Sequence, residues 1–328
     1  MGTTLGRWYP VILCALLLFS SVPGHAESAK EFRAYADSHK VQIVDELIKL
    51  ASVPDLHGNV DQLNKNADLL MQMLARRGLA PQRWQTTDGI PVLFGQRKAK
   101  RAARTILFYI HYDGQPIDPK RWDQPDPFRP VIRTDTIAAG GKIVGDIANA
   151  QFADSWRIYG RAAADDKAPI IVFLNALDAI QDKATSNIKV ILDGEEEGGG
   201  KGLREVVAEH PDDLRSDLLI ILDGPQHASG RPTIFFGARG GAGLSVTVYT
   251  AKQSMHSGNY GNWMPDANVR MAQLISSMVD STGKVMIPGF YSDVLPFSPA
   301  ASSMMHAVPE ASKRIRAAFG IGSTDGAA

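Results

Sequence analysis

Along this chain, short unbroken apolar runs alternate with stretches whose apolar positions recur every three or four residues. The first pattern predicts strands and the second helices. Residues 31–51 carry Phe32, Tyr35, Val44, Leu47, Ile48 and Ala51 near helical spacing, and Pro54 ends that helix. A second helix is predicted from about Val60 to Arg77, with Leu63, Ala67, Leu70, Met71 and Leu74 on one face and Gly78 as its terminator. Strands follow at 91–95 and 105–111. The basic stretch between them, 97–104, reads as a solvated hairpin tip. Segments 116–130 and 136–154, rich in Pro, Asp and Gly, read as loop or short hairpin. Then come a helix at 167–180, a strand at 188–192, a helix at 202–209 and a strand at 218–222. Such alternation implies an α/β fold with a mostly parallel sheet and helices on both faces.

The texture changes near Gly240, Gly241 and Gly243, which read as a hinge. Beyond it, 244–249 alternates like a half-buried strand and 264–278 reads as a helix. The expected organisation is a leader at 1–26, a first domain at 27–239 and a smaller α+β domain at 240–328.

Four acidic or histidine clusters follow apolar runs. They are His111-Tyr112-Asp113 after 106–110, Asp165-Asp166-Lys167 a few residues after 157–159, Glu195-Glu196-Glu197 after 188–192, and Asp223 after 218–222. In an open α/β sheet, ligands bind outside the carboxyl ends of the strands. One His and several carboxylates meeting there suit a divalent metal and point to metal-dependent hydrolysis. Each cluster also has a plainer reading. Asp165 and Asp166 could cap a helix, the Glu run could be a solvated face, and Asp223 before Gly224-Pro225 could form a turn. Position weighs against the plain readings. Asp113 stands two residues from His111, where it can fix the imidazole tautomer. Three carboxylates in a row after a buried strand are costly without a cation.

Composition narrows the picture. The 328 residues hold 35 basic and 35 acidic side chains, so net charge suggests neither nucleic acid nor an anionic membrane as partner. Arg7, the apolar run 11–19 and Gly24-His25-Ala26 resemble a signal peptide cleaved after Ala26, and the run is short for a membrane span. The single cysteine, Cys14, lies inside that leader, so a mature chain would have neither disulfides nor thiolate chemistry. The expected location is periplasmic or secreted, with no membrane contact after cleavage.

Taken in order, these motifs resemble the zinc-dependent exopeptidases of metallopeptidase family 20. That family includes carnosinase-like dipeptidases, glutamate carboxypeptidases, aminoacylases and succinyl-diaminopimelate desuccinylase. The resemblance runs from residues 43–47 to 287–290. It is nearest to the dipeptidase-like members, through residues 160–167 and His256-Ser257-Gly258-Asn259-Tyr260-Gly261. It implies two zinc ions, with manganese or cobalt able to serve. His111 and Asp223 would hold one metal, Asp165 would bridge both, and Glu197 would hold the other. It further implies a cis peptide at Asp165–Asp166, Asp113 orienting His111, and Glu196 as general base. His256 would reach a neighbouring active site across a homodimer to steady the oxyanion. The expected substrate is a dipeptide or other small peptide. Glu195 is given no role. The family's returning segment after the lid, with its last metal-binding His, has no match after Phe290, and His306 lies in a different context. The expectation is a chain that stops inside the lid. The alternative is a catalytically inactive peptide- or metal-binding homologue.

Overall fold

The computed structural model describes residues 24–322 apart from 146, 148–150, 225, 226, 230, 232, 239, 242 and 310, with backbone only for 24–29. The expected leader's n- and h-regions lie outside the described residues. Among those described, no helix is long and apolar enough to cross a membrane.

The chain divides into two compact units, 1–223 and 224–328. The expected boundary near Gly240 lies within the second. The first unit runs α1 (Gly24–Ala51), α2 (Val60–Arg76), β1 (Gln82–Trp84), β2 (Val92–Arg97), β3 (Thr105–His111), β4 (Val131–Arg133), β5 (Arg157–Tyr159), α3 (Ala168–Ile180), β6 (Asn187–Asp193), α4 (Lys201–Glu209), α5 (Pro211–Leu214) and β7 (Leu218–Ile221). The second contains α6 (Ser257–Tyr260), α7 (Ala267–Met278), α8 (Pro299–His306) and α9 (Ser312–Phe319).

The main sheet has the order β1-β2-β6-β3-β7. β3 is parallel to both β6 and β7, and β2 runs against β6 and β1. Four strands therefore point one way and β2 the other. Side chains on β3 and β6 alternate between two apolar layers, as the strand period of two requires. Ile110, Ile188, Val190 and Leu192 pack with α2 and α3 through Leu70, Leu74, Ile170 and Leu174. Leu107 and Ile191 pack on the other face with Trp84, Phe94 and Val206 of α4. Helices cover both faces, and the register pairs His111 with Asp193 at the carboxyl ends of β3 and β6.

Two local expectations are corrected. Arg157–Tyr159 is a strand, but it pairs antiparallel with β4 in a separate two-stranded sheet. Three partly exposed residues are too short for a parallel strand covered on both faces. Residues 244–249 are not a strand, and Leu244 and Tyr249 are 76% and 83% exposed. Alternation reports a preference that only a hydrogen-bonded partner strand realises, and no such partner is found among the described residues of the second unit.

Three helices are stapled by one buried cation. Arg77 Nη2 donates to Glu46 Oε2 at 2.7 Å on α1, and its Nε donates to Asp178 Oδ2 at 2.9 Å on α3. It also donates to the carbonyls of Leu174 and Met73. Removing Arg77 leaves the partly buried Glu46 and Asp178 carboxylates without their cation. Arg77→Ala is therefore expected to lower unfolding free energy by about 3 kcal/mol or more in urea titration. A loss below about 1 kcal/mol, the scale of an exposed pair, would show the cluster to be effectively solvated.

Candidate metal centre

His111 closes β3 and is buried. Its Nδ1 lies 3.2 Å from Asp113 Oδ1, and its Nε2 lies 2.9 Å from Asp165 Oδ1 and 3.9 Å from Asp223 Oδ2. One ring nitrogen thus meets an orienting carboxylate while the other faces two more. His111, Asp165 and Asp223 each offer one donor atom, all within 4.8 Å of one another. An ion bonded at about 2.0–2.2 Å to N and O donors fits such a group with little movement.

Asp113 is fully buried. Beyond His111, it accepts the backbone N–H of Glu196 at 3.2 Å and of Glu197 at 3.0 Å. Asp193, also buried, accepts the N–H of Glu195 at 3.1 Å and the Tyr109 hydroxyl at 3.0 Å. All three glutamate N–H groups are taken by aspartates at the ends of β3 and β6. The turn then closes with Gly199 and Gly200 donating to the carbonyls of Glu196 and Glu195. Those two glycines have φ of 99° and 59°, a region costly for residues with a Cβ.

Asp165 and Asp166 do not cap α3, whose N-cap is Lys167 with no side-chain cap bond. The Asp165–Asp166 peptide is cis, as the resemblance implies. Asp165 is 70% exposed, whereas Asp166 turns inward and accepts the His111 N–H at 3.2 Å. The following Lys167 is fully buried, 2.7 Å from Asp55 Oδ2, and donates to the carbonyls of Leu50 and Val53. This turn is thereby moored to the end of α1.

Glu197 accepts from Gln115 and stands outside the three-donor group. Glu195 shares a hydrogen bond with Asp88. His256 belongs to the second unit, where its Nδ1 accepts the Gly258 N–H at 3.1 Å and starts α6. Asp55, Gln115, Asp166 and Asp193 received no role from sequence. Gln115 directly follows the His111–Gly114 stretch, which was the available signal.

The electrostatics fit a cation. Burial pushes the Asp166 carboxyl up to about 8. Burial also raises Glu196, with Asp223, Glu197 and Asp113 adding to the effect against the pull of His111. Burial alone would lower His111. The Asp113 hydrogen bond and the charges of Asp166, Asp113 and Asp223 outweigh it and raise the imidazole to about 10. Protons thus sit where positive charge is wanted.

The chain matches the peptidase family M20/M25/M40 over residues 107–327. It belongs to that family. Among its relatives are a Beta-Ala-His dipeptidase of Homo sapiens, 29% identical over 91% of this chain and 60% of that protein, and a cysteinylglycine-S-conjugate dipeptidase of Corynebacterium striatum, 31% identical over 76% of this chain and 50% of that protein. The chain therefore spans about half to three fifths of the length of these relatives. Its fold resembles that of an M20 family metallo-carboxypeptidase, Sso-CP2, from Sulfolobus solfataricus (TM-score 0.67, 24% identity, 87% of this chain and 61% of that one).

The His111 shift sets a linked pH dependence. Its folded value is raised, so its contribution to metal-free stability is full below about pH 6.5 and is lost as pH rises through about 10. Metal binding needs neutral imidazole, so it should release protons at neutral pH, and affinity should rise with pH. Calorimetric zinc titration in buffers of different ionisation enthalpy measures this. Zero proton release at pH 7 would show that His111 is already neutral.

Proposed function

We propose that this chain is the metal-binding part of a dipeptidase that cleaves the amide of a small peptide using two divalent cations, zinc by preference with manganese or cobalt able to serve. The observation that carries the reading is the convergence of His111, Asp165 and Asp223 beside a glutamate turn held by Asp113. The imidazole nitrogen and carboxylate oxygens form a borderline-hard set suited to these ions. His111 and Asp223 would hold one ion, Asp165 would bridge, and Glu197 would leave Gln115 to hold the other. The dipeptidase names of the two relatives support the substrate class.

When bound, the ions supply Lewis-acid stabilisation of charge developing on the amide oxygen. The chain's own groups do the rest. Glu196, raised by burial and by neighbouring carboxylates, takes a proton from the attacking water and passes it to the leaving amine. Asp113 keeps a proton on His111 Nδ1 and so presents Nε2 to the metal. His256 would steady the oxyanion from the neighbouring copy in a homodimer, with residues 240–328 as the lid. A leader cleaved after Ala26 would place the protein in the periplasm or outside the cell.

Two variants separate binding from chemistry. Asp165→Asn should sharply lower metal content, because one bridging carboxylate serves both ions. Glu196→Gln should keep metal and lose about 10²–10⁴-fold in dipeptide turnover. Metal analysis and rates with added zinc are the readouts. Normal turnover in Glu196→Gln would sink the assignment of the base. Wild-type metal binding with no turnover on any dipeptide would support the inactive-homologue alternative.

A further inference from the structure

We propose that Gln115 is a latch on Glu197 that makes the metal centre fill in sequence, the second ion entering only after Glu197 gives up the Gln115 amide. The inference rests on the two-ion reading above. It adds a residue that sets the order in which the ions are held and how tightly.

Glu197 is held at two points. Its backbone N–H donates to the buried Asp113 at 3.0 Å, and its carboxylate accepts from Nε2 of Gln115. An ionised carboxylate only accepts, and a glutamine amide donates only through its nitrogen, so the contact has one polarity. Glu197 does not join the group in which His111, Asp165 and Asp223 each offer a donor within 4.8 Å of the others. Three donors are therefore assembled without a cation. The fourth carboxylate is drawn to a neutral partner instead.

The backbone on both sides of Gln115 is pinned. Gly114 N–H donates to the Asp55 carbonyl at 2.8 Å, and the Gly114 carbonyl accepts the His57 N–H at 2.9 Å. On the other side Pro116 has a ring-fixed φ, and its carbonyl accepts from Arg161 Nη2 at 3.1 Å. The Arg161 guanidinium lies 5.4 Å from the centroid of the Trp122 ring. Gln115 itself is exposed. A long exposed side chain on a pinned base can swing away without disturbing the fold. Among the described residues Gln115 makes no hydrogen bond to His111, Asp165 or Asp223.

The two ions thus meet different conditions. The first needs no exchange of partners. The second must displace a hydrogen bond to a charged acceptor, and its apparent affinity falls by the fraction of molecules in which Glu197 is free. At limiting metal the chain would hold one ion. An amide that merely oriented Glu197 towards a cation would act the other way, and losing it would weaken the second ion. The sign of the change separates latch from support.

The test compares the full chain with Gln115→Ala by zinc calorimetry against a competing chelator, which resolves the two binding steps. Gln115→Ala should tighten the second step by at least about threefold, as for a modest hydrogen bond removed, and leave the first step within about twofold. A second step that weakens or moves less, or an equal change in the first step, would overturn the proposal and leave the two-ion reading standing. A single bound ion in both proteins would overturn that reading and the latch with it. Wild type gives a readout that needs no variant. With nitrogen-15 label, the Gln115 side-chain amide resonance should stay in place through the first equivalent of zinc and shift through the second. A shift complete at the first equivalent, or no shift at all, would also overturn the latch.

Discussion

The Asp113 carboxylate, itself fully buried, touches one imidazole nitrogen and two successive backbone N–H groups. Those three contacts belong to the two halves of a hydrolytic site. His111 is the proposed metal ligand, and the turn carrying Glu196 and Glu197 holds the proposed base and a further carboxylate. In a low-dielectric interior a buried carboxylate needs its donors, and any bond left unmade is costly. One buried charge therefore fixes the ring orientation and the path of the glutamate turn together.

The sheet makes that contact available. β3 and β6 are parallel neighbours in a register that ends both at one level, His111 beside Asp193. Parallel strands place all their carboxyl ends on one edge, and β7 brings Asp223 there too. Asp165 arrives differently, from the turn before α3, which the buried Lys167 moors to Asp55 and the end of α1. The Asp165 turn is thus tied to this edge by a buried ion pair, whereas His111 and Asp223 reach it on paired strands. The raised His111, Asp166 and Glu196 values reflect burial and the crowding of carboxylates at this edge, a setting that suits a cation.

Long periodic segments were legible in the sequence because burial enforces their pattern. β3 falls on the predicted bounds, and α2, α3 and α4 agree to within a residue at either end. Short elements were not. β1 and β4 have three residues each, too few to show a period. Arg157–Tyr159 pairs with β4 in a separate sheet, and a triplet of one basic and two apolar residues does not announce its partner. Within the site, His111, Asp113, Asp165 and Asp223 converge as the motif order implied. Asp166, Asp193 and Gln115 take their roles from contacts across 55, 84 and 82 positions of chain, which local pattern does not report.

The most direct test of the central claim compares Asp113→Ala with Asp165→Asn by amide hydrogen exchange and zinc affinity. If Asp113 holds both halves, Asp113→Ala loses protection at the Glu196 and Glu197 amides and weakens zinc by about 10–100-fold. Asp165→Asn should weaken zinc while leaving those amides protected. Unchanged amide protection in Asp113→Ala would contradict the account, because the glutamate turn would then stand without the carboxylate assigned to hold it.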